Sequence, residues 1–238
     1  MSDQLKHDVT HFDVFGDLHG CYYELLELVE ALGYVEGDDG LYTHPEGRML
    51  VSVGDVTDRG WYNSQCLQFV FNHWKAGKLL WCQGNHDNKL FRWMKGNPVS
   101  IAHGLERTVQ ELEQAWPFEM ERAEFGQYLL DAVPTKIELD GGNVVVVHAF
   151  NGKEKLRMFG KRAGPDNARV DWWHDYQGPE FVVFGHYWNN DLAVYDYHCC
   201  VDSSCCKGGS LAALQWPERD VVEVQAHKLY CEDERRLR

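Results

Sequence analysis

Three short glycine-bounded runs constrain this chain more than any other feature. They are Gly16-Asp17-Leu18-His19-Gly20, Gly54-Asp55-Val56-Thr57-Asp58-Arg59-Gly60 and Gly84-Asn85-His86-Asp87. Each follows an apolar stretch of strand character, at residues 11–15, 49–53 and 79–82. Between the first two stretches, residues 21–32 place Leu25, Leu26, Leu28, Val29 and Leu32 at helical spacing, and Gly33 stops that helix. Residues 66–74 form a second helix before the third strand, and another begins within 88–94. The order β-α-β-α-β favours a mainly parallel sheet with right-handed crossovers. Polar residues then stand just past successive strand ends, where side chains of chemical use collect.

The rest of the chain reads as further strands around one helical stretch. Asp38-Asp39-Gly40 and His44-Pro45-Glu46-Gly47 are turn sequences, so a hairpin is expected between the first helix and the second strand. Residues 105–130 are helical and acidic, with a break at Trp116-Pro117, and read as a cap or insertion over one edge at about 104–131. Residues 134–139 and 143–147 form a hairpin around Asp140-Gly141-Gly142. Later strands are expected at 181–184, 193–195, 210–215 and 221–225, and the charged stretch 231–238 as a frayed tail. The expected fold is α/β in the broad sense, two sheets face to face with helices outside, as a single domain over residues 1–238. A chain of 238 residues, 44% apolar and 25% charged, suits one domain with a sizeable core.

The charge balance narrows the partners. A net charge of −14 argues against non-specific binding to nucleic acid or anionic membrane, which requires a basic field. No apolar run spans a bilayer and residues 1–8 lack a signal-peptide core, so a cytoplasmic location is expected. Metal ions and an arginine can still bring a phosphate to an acidic protein.

The residue types in the three runs suit such a centre. Two divalent cations about 3.5–4 Å apart can clamp phosphoryl oxygens and hold an attacking hydroxide, provided they share a carboxylate. Asp55 suits that bridge. Asp17 and His19, two residues apart, can aim at one metal from a turn, while Asn85, His148 and His186 complete the second. Mixed Asp, His and Asn donors suit manganese, iron or zinc better than an all-oxygen magnesium or calcium site. Arg59 can grip a phosphate with its planar fork. His86 can act as general acid to the leaving group, with Asp58 orienting it.

These motifs resemble the calcineurin-like metallophosphoesterases, specifically the phosphoprotein phosphatase branch, whose G-D-x-H-G, G-D-x-x-D-R-G and G-N-H-[ED] are matched by the three runs. The resemblance implies a two-sheet β-sandwich flanked by helices, with a dinuclear centre at the strand ends. It implies Asp17, His19 and Asp55 at the first metal and Asp55, Asn85, His148 and His186 at the second. It further implies a His86–Asp58 acid dyad and Arg59 as phosphate clamp. Two divalent ions are implied as cofactors, manganese first, with iron, zinc or nickel as alternatives. The chain is similar to small bacterial enzymes of this branch that act as bis(5'-nucleosyl)-tetraphosphatases or serine/threonine phosphatases. Supporting this over residues 12–218 are Gly20-Cys21-Tyr22, Asn88-Lys89-Leu90, His103-Gly104-Leu105-Glu106, Asp171-Trp172 and Gly208-Gly209. The substrate is then a phosphorylated small molecule, a bis(5'-nucleosyl) tetraphosphate foremost, or a phosphoprotein. An inactive metal-binding scaffold is the reading of another class.

Several positions stay open at this level. Relatives show Thr-Gly-Cys after Val-Asp, and Ser203-Ser204-Cys205 stands here, so the turn loses its glycine. Arg169 is the candidate second phosphate arginine, with Arg162 as the alternative. Asp87 is either catalytic or bonded to nearby backbone. The aromatic pairs Trp172-Trp173 and Tyr187-Trp188 either stack a nucleobase or belong to core or rim. Cys199, Cys200, Cys205 and Cys206 read as a zinc site, a redox-labile pair or ordinary thiols flanking a strand. Oligomeric state is not legible.

Overall fold

Alternating apolar residues sort the strands into two sheets that share a core. In the computed structural model, which describes residues 4–6, 8–115, 119–149, 173, 176–188 and 192–232, one sheet contains β2 (Phe12–Phe15), β5 (Met49–Ser52) and β6 (Leu79–Trp81) in parallel. On its other flank lie β11 (Ser210–Trp216) and β12 (Val221–Gln225), antiparallel to β2 and to β11 respectively. The second sheet runs β1 (Gln4–Lys6), β7 (Lys136–Leu139), β8 (Val144–Val147), β9 (Phe181–Phe184) and β10 (His198–Cys200). Short β3 (Val35–Glu36) and β4 (Tyr42–Thr43) form the expected hairpin.

The period of two is visible in what each residue touches. Phe12, Val14, Val51, Ile137, Leu139, Val144, Val146, Phe181, Val183, Leu214 and Trp216 meet between the sheets. Phe15, Leu50, Leu79, Trp81, Leu211 and Ala213 face the other way, onto the helices. β8 is four valines because both of its faces are covered: Val145 and Val147 pack outward with Phe184 and Tyr187. Each fully buried valine contributes about 1.5–3 kcal/mol.

The helices α1 (Tyr22–Ala31), α2 (Asn63–Lys75) and α3 (Asn85–Met94) cover the first sheet. α1 buries Leu25, Leu28 and Val29, the i, i+3, i+4 stripe of the sequence. α4 (Leu105–Ala115) and α5 (Glu119–Ala132) form a further layer, where Phe71 of α2 meets Phe125 of α5 edge-on at 4.9 Å. The cap or insertion expected at about 104–131 falls on these two helices. Glu111 of α4 accepts hydrogen bonds from Asn63 Nδ2 at 2.8 Å and Ser64 N at 2.9 Å, supplying the acceptor that α2 lacks at Tyr62.

Two expectations are corrected. Residues 193–195 contribute only a bridge between Val194 and Cys199, and the strand is β10, where buried Cys199 and Cys200 pair with β9. The third helix begins at Asn85 rather than at 88, so Asn85 and His86 occupy its first turn. Among the described residues, no helix is long and apolar enough to cross a membrane.

Candidate metal centre and phosphate site

Every described site residue predicted from sequence lies at the C-terminal end of a strand or the start of the helix after it. Asp17 and His19 follow β2; Asp55, Asp58 and Arg59 follow β5; Asn85 and His86 open α3. His148 follows β8 and His186 follows β9. The two sheets therefore present their strand ends to one shared place.

The loops that hold these residues are strained and tied together. His19, Asp55, Asp58, Arg59 and His186 adopt positive φ of 43, 52, 76, 68 and 66°. Such backbone costs on the order of 1–3 kcal/mol per residue and persists only where its surroundings over-determine it. Here His19 N donates to Asp55 O at 2.9 Å and Gly20 N to Val56 O at 3.1 Å. The Asp87 carboxylate accepts from Asp55 N, Val56 N and Gly84 N, each at 2.9–3.0 Å. That settles Asp87 on the backbone side of its two readings. Burial and the Asp55 charge push its carboxyl up to about 6. Glycine is required at Gly84 and Gly185 by close approach. A Cβ would overlap the Asp55 carboxylate at the first and the Asp17 carboxylate at the second.

The ligating atoms form two groups that share Asp55. Those of His19, Asp55 and His86 lie within 4.8 Å of one another, as do those of Asp55, His148 and His186. His19 Nε2 is 3.9 Å from Asp17 Oδ2 and 3.6 Å from Asp55 Oδ2. His148 Nε2 stands 3.2 Å from Asp55 Oδ2, 3.0 Å from Asn85 Oδ1 and 3.1 Å from His186 Nδ1. The Nδ1 atoms are engaged elsewhere: that of His19 with Thr57 O at 2.8 Å, that of His148 with Val53 O at 3.1 Å. With the Nδ1 atoms on carbonyls, both Nε2 atoms face the site, where carboxylate and amide oxygens already converge. Acceptors packed this way need positive charge between them, so the donor set fits bound cations.

The electrostatics agree. Burial and Asp202 push Asp17 well above the usual carboxylate range. Burial also opposes ionisation of Asp55, but the imidazoles of His148 and His86 hold it well below. Burial lowers His148, yet Asp55 and Asp17 prevail and bring it up to about 9. Burial and Arg59 push His19 well below its ordinary value, which keeps its nitrogen available as a ligand.

Beside the two groups lies a hydrogen-bonded arm. His86 Nδ1 meets Asp58 Oδ2 at 2.6 Å, and Thr108 of α4 donates its hydroxyl to Asp58 Oδ1 at 2.7 Å. Thr108 Oγ1 in turn accepts from Asp58 N at 3.1 Å. Arg59 reaches over both groups, with Nη1 2.7 Å from His19 Nε2 and Nη2 3.2 Å from His86 Nε2.

Two residues here carried no role from sequence. Thr108 left no local signal, because its partner lies 50 residues away. Asp202 is buried after β10, with Arg59 and Asp55 in electrostatic range; burial raises its carboxyl. Its signal was the one that marked Asp17 and Asp55, an aspartate closing a buried strand. Ser204 takes over the missing glycine's conformation, at φ 56°, held by Ser204 N donating to Asp202 Oδ1 at 3.0 Å. Arg162, Arg169 and Trp172 lie outside the described residues. Tyr187 and Trp173 belong to the outer core against Phe184, and Lys207 sits 5.1 Å over the Trp188 ring. The four cysteines do not gather as one cluster: Cys199 lies between the sheets, Cys200 beneath Tyr187, Cys205 beside Cys21 and Cys206 beside Cys231.

The family profile described as calcineurin-like phosphoesterase matches residues 10–225. A bis(5'-nucleosyl)-tetraphosphatase PrpE [asymmetrical] of Halalkalibacterium halodurans is 36% identical, over 91% of this chain and 94% of its own. The protein of the same name from Bacillus subtilis is 34% identical, over 95% and 98%. Among solved structures, a cold-active protein-tyrosine phosphatase of a Shewanella species superposes with a TM-score of 0.63 at 18% identity, over 95% of this chain and 83% of that one. That likeness concerns the fold alone.

Proposed function

The chain belongs to the calcineurin-like phosphoesterases, metal-dependent hydrolases of phosphate esters and anhydrides, and on that premise we propose that it hydrolyses bis(5'-nucleosyl) tetraphosphates asymmetrically. The observation that carries this reading is its match, at about a third identity and nearly full length, to relatives that bear that name. Asp17, His19 and Asp55 would hold one divalent ion and Asp55, Asn85, His148 and His186 the other. Manganese is the first expectation, with iron, zinc or nickel as alternatives. When bound, the ions would neutralise charge at the phosphoryl group and make water more acidic.

The chain's own residues do the rest. Phosphoryl oxygens offer the Arg59 guanidinium stronger acceptors than the two imidazoles it touches. Released from Arg59, His86 Nε2 carries a proton to the departing oxygen. Asp58 fixes the ring through Nδ1 and stabilises its charge, and Thr108 fixes Asp58. Asp87 is a positioning residue that holds the backbone of Asp55.

The test is product analysis of diadenosine tetraphosphate incubated with the purified protein and Mn²⁺. ATP plus AMP is expected. Two molecules of ADP would refute the asymmetry. No turnover, with p-nitrophenyl phosphate still cleaved, would reject the nucleotide and point to a phosphoprotein substrate.

A further inference from the structure

The chain has eight cysteines, and two pairs of thiols meet behind the catalytic loops. Cys21 and Cys205 touch each other but are fully buried, at 0 and 1% exposure. Cys206 and Cys231 also touch through their side chains, and Cys231 is only partly buried. Their contact is built by backbone rather than by chance side-chain placement. Lys207 and Leu229 form an antiparallel bridge, and both Tyr230 N and Cys231 N donate to Cys206 O at 3.0 Å. Cys231 Sγ lies 3.5 Å from the same carbonyl.

The segment that carries Cys231 is a latch across the site's supporting loops. Tyr230 O accepts from Trp61 Nε1 at 3.2 Å, two residues beyond Arg59. Tyr230 OH donates to Glu24 Oε1 of α1 at 2.7 Å, and His227 N donates to the same oxygen at 2.8 Å. Cys206 sits four residues after Asp202 on the loop that closes the other side.

We infer that Cys206 and Cys231 are an oxidative modification site, at which a peroxide joins them in a disulfide that fastens the latch to the Asp202 loop. The sulfur of partly buried Cys231 attacks one peroxide oxygen, the O–O bond breaks, and the second oxygen leaves as water. The sulfenic acid so formed meets Cys206, whose sulfur displaces the hydroxyl as a second water. Two thiols thus lose two hydrogens and two electrons, and one hydrogen peroxide becomes two waters. The buried Cys21–Cys205 pair has no such entry, so selectivity follows from exposure rather than from spacing.

The experiment is non-reducing peptide mapping of the full chain after brief hydrogen peroxide treatment, on wild type, Cys231→Ser and Cys206→Ser, beside hydrogen exchange over residues 226–232. The expected result is one peptide pair joined through Cys206 and Cys231, two hydrogens lighter and released by dithiothreitol. Exchange at 226–232 should slow in oxidised wild type and stay unchanged in both serine variants. Recovery of Cys206 and Cys231 as separate reduced, sulfinic or sulfonic peptides would overturn the inference. So would a Cys21–Cys205 disulfide formed while this pair stays apart, or slowed exchange that persists in the variants.

Discussion

Replacing Asp58 by asparagine tests the hydrogen-bonded arm with little change of shape. In the native site, one carboxylate oxygen meets His86 Nδ1 at 2.6 Å and the other accepts the Thr108 hydroxyl at 2.7 Å. An asparagine can keep its oxygen on His86 and turn its NH₂ to Thr108 Oγ1, which has a lone pair to accept it. What disappears is the negative charge that supports an imidazolium. A hydrogen bond to a charged group is worth about 1.5–3 kcal/mol. At about 1.36 kcal/mol per decade, kcat should fall about 10- to 150-fold where leaving-group protonation limits the rate. The assay compares kcat for an alkyl phosphate and for p-nitrophenyl phosphate, with metal content measured on the same samples. The alkyl ester should suffer the larger loss, and both metal equivalents should remain. Thr108→Val should act in the same direction by about tenfold, and the double variant should lose less than the sum of the two. Equal losses on both substrates at full metal content would refute the general-acid role of His86.

Three further outcomes are expected. Gly185→Ala drives a Cβ into the Asp17 carboxylate, so the protein should bind one of its two metals about 10- to 100-fold more weakly by calorimetry; unchanged affinity would sink the close-approach argument. His148 is raised from 6.5 to about 9, so its contribution to stability is full below 6.5 and is lost as pH rises through 9. The urea midpoint of chelator-stripped protein should therefore fall across that window while the metal-loaded form holds steady; a flat profile for the stripped protein would count against it. Leu214→Ala, at a fully buried position between the sheets, should cost about 2–5 kcal/mol in urea unfolding, and a loss under 1 kcal/mol would mean that the inter-sheet layer repacks around it.

Most of the candidate site could be placed from sequence because its residues sit where local chemistry marks them. Asp17, His19, Asp55 and Asn85 each follow a strand whose apolar run ends in a glycine, and period and punctuation alone locate such places. The β-α-β-α-β half was legible for the same reason. β10 was not, because His198-Cys199-Cys200 has no β-branched residue, and its strand is made by pairing with β9 and burial on both sides. Thr108 depends on a contact across 50 residues, which no window of sequence contains. Adjacent cysteines suggested one cluster, but successive residues of an extended strand point to opposite faces, and Cys199 and Cys200 part company there. The serine at 204 shows the reverse case: a missing glycine was visible, yet an aspartate two residues earlier stabilises the same left-handed turn.

Thr108 both gives a hydrogen bond to residue 58 and takes one from it, and Glu111 on the same helix caps α2. On the proposed function, undocking of α4 would remove the Thr108 support of Asp58 and the Glu111 cap of α2 together. The free energy of opening that helix would then limit the catalytically competent fraction of molecules. Substitutions on the far side of α4, beyond reach of any substrate, would then be heard as changes in turnover, and a ligand that clamps this layer would tune the enzyme without touching a metal.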